Sequence, residues 1–306
     1  MFVFFLYFII YLLHTVHSKC NVLVLSGGGS YGAYEASIVE TIANHRGGGG
    51  DDDWDIVTGV SAGSINALYI STYPVGELDT TAFKPLWTSI RNEDILSLEY
   101  FLNGISLYST DALLRTLEGI FDNRSIHRKI SVGATSLSMS KNVVFTERDL
   151  LGAASAKIDL QYIMASTAIP IAFPPQKIND DILIDGGLTG NILLWEGIER
   201  CEDEIGFVDV VLCIPVGSDP SYRLPDQSIN IINLITPLIK TIMNQIEYPE
   251  LIRDETHCVE SIRINVYQPQ TDIHINFLDF TKADELWALG KTNVETTVLY
   301  LCRTKD

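Results

Sequence analysis

Basic residues are scarce. Twenty-one Lys and Arg stand against 39 Asp and Glu in 306 residues, a formal net charge of -18 at pH 7. So acidic a surface repels phosphate backbones and anionic bilayers alike, which excludes nucleic acid as a partner and leaves any membrane or micelle contact transient, local and apolar. Cysteine is sparse as well. Cys20, Cys201, Cys213, Cys258 and Cys302 are scattered without C-x-x-C spacing, so no zinc knuckle or redox motif is present, and neither a metal nor a cofactor is expected. Pairing of Cys201 with Cys213, pairing of Cys258 with Cys302, and five buried free thiols all stay open at this level. Also missing are internal repeats, Pro/Gly/Ser-rich linkers and, after residue 18, any apolar run long enough to span a membrane.

What is present begins with an apolar, aromatic opening. Met1 to Ser18 contains no Lys, Arg or acidic residue and closes on Val16-His17-Ser18, which suits the small-residue rule before signal cleavage. It reads as a secretory signal peptide over residues 1–18, followed by one domain over 19–306. The missing basic residues at its start keep an uncleaved N-terminal anchor open. Asn123-Arg124-Ser125 is a glycosylation sequon between a helical run and a strand-like run, where a surface loop is expected. Secretion, or residence in the secretory pathway, is the expected location.

With 46% hydrophobic residues the chain can bury a substantial core. Short β-branched runs alternate with helical stretches, the pattern of a mainly parallel sheet covered by helices on both faces, a three-layer α/β/α sandwich. Strands are expected at Val22–Leu25, Asp55–Thr58, Ile130–Ser136, Val143–Thr146, Ile182–Asp185, Val208–Val216 and Ser261–Tyr267. Helices are expected at Ala33–Ala43, Ser61–Ser71, Leu160–Ser166, Ile229–Gln245 with a break near Pro237, and Thr281–Leu301, with several more over Leu78–Phe121 broken at Pro85 and Gly104. Residues 46–53 form a glycine- and aspartate-rich loop.

Two glycine turns carry the chemistry. Ser26-Gly27-Gly28-Gly29-Ser30-Tyr31-Gly32 follows the first strand and opens a helix, so its amides are free to face a negative oxygen. Gly59-Val60-Ser61-Ala62-Gly63 is a G-x-S-x-G elbow between a strand and a helix, which holds a serine on a strained turn with its oxygen clear of the backbone. Farther on, the apolar strand Ile182-Leu183-Ile184 ends in Asp185-Gly186-Gly187. Functional groups in open parallel sheets collect at the carboxyl ends of strands, so Asp185 is expected beside Ser61.

Three rival readings use the same residues. Gly27, Gly29 and Gly32 satisfy G-x-G-x-x-G with Asp51 to Asp53 about 20 residues on, as a dinucleotide site requires. That reading leaves Ser61 and the Asp-Gly-Gly turn unexplained. An ordinary α/β-hydrolase triad would add His257 or His274 to Ser61 and Asp185, although neither histidine has a loop signature around it. The third is a lipid-binding or storage protein with little turnover. Apolar residues over Ile169–Phe173, Tyr100-Phe101-Leu102 and Tyr108 are candidates for an acyl channel and equally for ordinary core.

The ordered set of Gly27-Gly28-Gly29-Ser30-Tyr31-Gly32, Gly59-Val60-Ser61-Ala62-Gly63 and Asp185-Gly186-Gly187 resembles the patatin-like phospholipase family. Supporting matches are Ser64-Ile65-Asn66-Ala67, Ala165-Ser166-Thr167-Ala168-Ile169-Pro170, Phe173-Pro174-Pro175 and Asn191. The resemblance runs from about Asn21 to Asn191. It implies a patatin-like α/β/α fold and an acyl hydrolase of phospholipase A type acting on phospholipids or related acyl lipids, without histidine or metal. In that scheme Ser61 attacks, Asp185 is the base, and the Gly27, Gly28 and Gly29 amides hold the oxyanion. Gly32, Gly59, Gly63, Gly186 and Gly187 shape the turns. The chain departs from many relatives at Tyr31, where they carry Arg or Lys, at Ser37, where they carry Gly, and at Leu193, where they carry Pro. Oligomeric state is not legible.

Overall fold

The computed structural model describes residues 19–45, 53–96, 106–152, 157–215, 237–239, 241–242, 260–271 and 273–303. The opening at 1–18, the loop over 46–52, residues 100–102, Gly104, most of 229–245, His257 and Cys258 lie outside the described residues.

Among the described residues nine strands form one sheet. They are β1 (Cys20–Leu25), β2 (Ile56–Val60), β3 (Lys129–Ser136), β4 (Lys141–Thr146), β5 (Gln176–Ile178), β6 (Asp181–Asp185), β7 (Ile205–Val211), β8 (Glu260–Pro269) and β9 (Val294–Arg303). The centre, in the order β3-β2-β1-β7-β8, is parallel throughout. Both flanks are antiparallel, with β4 and β6 on β3, β5 on β6, and β9 on β8. The helices are α1 (Gly32–His45), α2 (Ala62–Ser71), α3 (Phe83–Thr88), α4 (Asn92–Ile95), α5 (Asp111–Phe121), α6 (Glu147–Leu151), α7 (Gln161–Ser166), α8 (Leu194–Glu199) and α9 (Ala283–Thr292).

A central parallel strand is buried on both faces and reads as an unbroken apolar run. In β1 the alternation divides that run between two cores: Leu23 and Leu25 join the large cluster with α1, α2 and α9. Val22 and Val24 face the smaller cluster containing Leu194 and Ile198 of α8. This is the three-layer, mainly parallel architecture expected from the sequence.

Four details differ from the sequence reading. The closing segment expected as one helix to Leu301 is helical only to Thr292, and Val294–Arg303 is β9. Its β-branched and aromatic residues Val294, Thr296, Thr297, Val298 and Tyr300 favour extended chain, and β8 offers a ladder to pair with. Pro85 breaks nothing. It occupies the third position of α3, where an amide has no intrahelical acceptor to lose. Cys201 bonds to Cys20 rather than Cys213, tying β1 to the segment after α8, and Cys213 is buried outside any disulfide.

The fourth concerns direction. β6 is not parallel to its neighbours but runs antiparallel to β3. Residues 131–133 of β3 pair with β2 on one edge and β4 on the other. Because β4 also occupies residues 134–136, β6 must pair with those residues on the edge that β2 uses. β2 and β6 therefore share one lane of the sheet and approach head-on. Val60, the last residue of β2, pairs with Gly133, and Asp185, the last residue of β6, pairs with the next position, Ala134.

Candidate active site

Ser61 stands at the end of that lane. Its backbone has φ 52 and ψ -124, outside the regions side-chain-bearing residues prefer, and strain of this kind persists only where its surroundings enforce it. Enforcement is visible on both sides. A Cβ at Gly59 would lie 2.3 Å from the Gly63 carbonyl oxygen, and one at Gly63 would lie 2.6 Å from the Leu25 carbonyl oxygen. The Ser61 amide donates to Ser166 Oγ at 2.9 Å, and that hydroxyl donates onward to the Gly133 carbonyl at 2.6 Å. Ser64 Oγ donates to the Ser61 carbonyl at 2.6 Å.

Asp185 arrives from the opposite direction and is 3% exposed. Its Oδ1 accepts the Gly187 amide at 2.9 Å. Oδ2 is buried with no hydrogen-bond partner among the described residues. Burial drives this carboxyl up from its ordinary 3.8 to about 7, and the Ser61 hydroxyl and Gly187 amide, which favour the charged form, offset only part of that. Gly186 is required by close approach, since a Cβ there would sit 2.5 Å from the Gly133 carbonyl oxygen.

The glycine loop lies alongside. Of the three amides expected to face developing charge, that of Gly27 is already engaged, donating to Oδ1 and the carbonyl of Asn191 at 3.2 and 3.3 Å. This removes Gly27 from the donor set and makes it a fastening point. The amides of Gly28 and Gly29 have no acceptor among the described residues and precede α1. Gly29 has φ +55, and a Cβ there would meet the Phe277 carbonyl oxygen at 2.4 Å. A late stretch of chain holds the loop in place: Ser30 donates from its amide to the Phe277 carbonyl at 2.8 Å and from Oγ to the Asn276 carbonyl at 3.1 Å. Tyr31 is fully buried, its hydroxyl 2.7 Å and 2.5 Å from the Ile273 and Ile275 carbonyls and its ring edge-on to Phe277. Where a cation was a possibility there is a core anchor.

Beside Ser61 lies a small apolar cavity. Gly29, Ser61 and Ala62 touch it at one side, and α5 contributes Leu113, Leu117 and Ile120 from a single face. Thr116 and Thr167 also line it, but their hydroxyls donate to the Asp94 and Ile163 carbonyls, so little polarity faces the space. Ile169 and Phe173 are among the walls, while Tyr108 stands behind Phe173.

Of the residues that the rival sets add, only His274 and Asp53 fall within the described ones. His274 is exposed, unlike the buried Ser61 and Asp185. Asp53, offered for a ribose, sits at the entry to β2 and accepts Asn21 Nδ2 at 3.2 Å, at the end of the sheet away from the glycine loop. Among the described residues no cluster of His, Cys, Asp or Glu suits a metal.

Residues 23–197 match the family model for patatin-like phospholipase. The chain belongs to the patatin-like phospholipase family. Patatin-like phospholipases are lipid acyl hydrolases in general. Among solved structures, the crystal structure of VipD from Legionella pneumophila is similar over 91% of this chain and 68% of its own, at 13% identity and a TM-score of 0.43. A comparison with curated proteins gives no match. Ser37 donates to the Trp287 carbonyl at 2.8 Å, joining α1 to α9, and Leu193 packs over Gly133.

Two positions have a structural role that sequence reasoning left blank. Ser166 was visible only as part of a motif, and its bond to the Ser61 amide crosses 105 positions. The 273–280 stretch that fastens the glycine loop lies beyond the resemblance, and its one local cue is the alternation of Ile273, Ile275 and Phe277.

Proposed function

We propose that the protein is a carboxylic ester hydrolase of phospholipase A type, with Ser61 as nucleophile and Asp185 as general base. The observation that carries this is the head-on meeting of β2 and β6, whose last residues Val60 and Asp185 pair with neighbouring positions of β3, so that the strained Ser61 following Val60 lines an apolar cavity close to where β6 delivers a buried carboxylate. A carboxyl near pH 7 is matched to taking a hydroxyl proton and returning it. Asp185 accepts the Ser61 proton as Oγ attacks the acyl carbonyl, the Gly28 and Gly29 amides stabilise the tetrahedral oxyanion, and the proton passes to the leaving alcohol. Water, activated by Asp185, then releases the fatty acid. An extracellular or secretory-pathway location accords with the Cys20–Cys201 disulfide, and the exposed turn at Asn123 is open to glycosylation.

The test is fatty-acid release from phospholipids, galactolipids and triacylglycerols with a calcium chelator present, together with covalent labelling by a fluorophosphonate. The intact chain is expected to label and turn over, and Ser61→Ala and Asp185→Asn to do neither. Equal release by the intact chain and Ser61→Ala refutes the chemistry.

A further inference from the structure

The ribbon formed by β3, β4 and β6 continues past Asp185. The register that pairs Ala134 with Asp185 runs outward through Thr135 with Ile184 and Ser136 with Leu183, and the Leu137 amide then donates to the Ile182 carbonyl at 2.9 Å. Three residues at roughly 3.3 Å each put Leu137 and Ile182 about 10 Å beyond Asp185, at the end of the sheet where the candidate site lies. Alternation turns Leu183 inward, to a cluster with Ala165 and Ile178, and leaves Leu137 and Ile182 outward on one face.

These outward residues are the wrong kind for water. Leu137 is 50% exposed, Met139 in the β3–β4 turn 51% and Ile182 46%. Single exposed apolar residues are ordinary on soluble proteins, but three on one small tip are not. Ile171, between the cavity walls Ile169 and Phe173, is exposed as well and held at φ 72. The tip is built rather than frayed: Asp181 Oδ1 accepts the Ile182 amide at 2.8 Å, and the Ser136 and Ser138 hydroxyls hold the same carboxyl below its usual range. Its charge also differs from the rest of the chain. Residues 137–142 and 177–182 carry Lys141 and Lys177 against Asp180 and Asp181, a balance of zero in a chain of net charge -18.

We propose that this tip is the docking surface for a zwitterionic lipid layer, with Leu137, Met139 and Ile182 entering its apolar boundary so that the end of the sheet bearing Ser61 faces the lipid. The choice of occupant rests on the lipid-hydrolase reading above. An uncharged apolar tip suits a layer of zwitterionic headgroups, and the acidity of the remaining surface disfavours an anionic one.

The experiment is sedimentation of the full chain with phosphatidylcholine vesicles in the Ser61→Ala background, which isolates docking from turnover. Adding Leu137→Ser, Met139→Ser and Ile182→Thr is expected to weaken partitioning by at least about tenfold, as withdrawal of three apolar side chains from an interface requires. Raising the salt concentration is expected to leave partitioning unchanged, because the contact is not ionic. In the active chain the same three changes should leave hydrolysis of a soluble short-chain ester within about twofold, since exposed substitutions seldom disturb a fold, while hydrolysis of vesicle lipid falls. Equal partitioning of both proteins overturns the proposal. So does loss of self-association with vesicle binding intact, which would assign the tip to a second copy of the chain. Weakened partitioning in a protein whose unmodified form hydrolyses no ester upholds docking and refutes the hydrolase reading separately.

Discussion

Asp185→Asn separates what the buried carboxylate does for catalysis from what it costs the fold. The native carboxyl titrates near 7 against an ordinary value of 3.8, because burial outweighs the Ser61 and Gly187 contacts. Between those two pH values the folded chain keeps a proton that the unfolded chain has released, so stability falls as pH rises through that window. At about 1.4 kcal/mol per pH unit over roughly three units, ionising Asp185 in the fold costs on the order of 4 kcal/mol at pH 8. Asparagine preserves shape and carries no charge. The variant is therefore expected to gain stability over the parent as pH rises from about 4 to about 8, with most of that gain in place by pH 8. Urea denaturation of both proteins across that range measures it. In parallel, turnover by the parent should climb with pH through about 7 as the base ionises, and the variant should show essentially none. A stability difference independent of pH, or a rate profile flat through neutrality, would refute both the elevated carboxyl and its role as base.

Two further outcomes follow from the geometry. Ser166→Ala removes the acceptor for the Ser61 amide; relaxation of the strained turn should slow fluorophosphonate labelling by roughly tenfold or more while the melting temperature moves little, a loss of about 1 kcal/mol or slightly more. Restoration of the labelling rate by Ser166→Thr, which returns a hydroxyl, distinguishes positioning from general damage. Cys201→Ser opens the link to Cys20 across 181 positions and should cost about 2–5 kcal/mol in chemical denaturation, with the parent under reducing agent falling to match it.

How much of this was legible depended on how local the cause was. The Ser61 elbow and the Gly28-Gly29 turn were readable because their backbone demands fall on glycines within a few residues. Asp185 was singled out for a reason that holds only in part: it does end a strand, but one running against its neighbour, and strand direction is set by pairing between residues some 50 positions apart. The engagement of Gly27 by Asn191 spans 164 positions and leaves no mark on the glycine motif itself. β9 escaped because Thr281 to Leu301 contains enough alternating apolar residues to satisfy either period, and only the presence of β8 decides between them. The Cys20–Cys201 bond follows from β1 lying beside β7, a neighbourhood the spacing of five cysteines does not encode.

The fastening of Ser30 and Tyr31 by the carbonyls of residues 273–277 has a bearing on biosynthesis. Ser61 and Asp185 are both synthesised before the stretch that secures the Gly28-Gly29 turn. A nascent chain that has reached Asp185 but not residue 273 therefore lacks the bonds that hold the glycine turn in place.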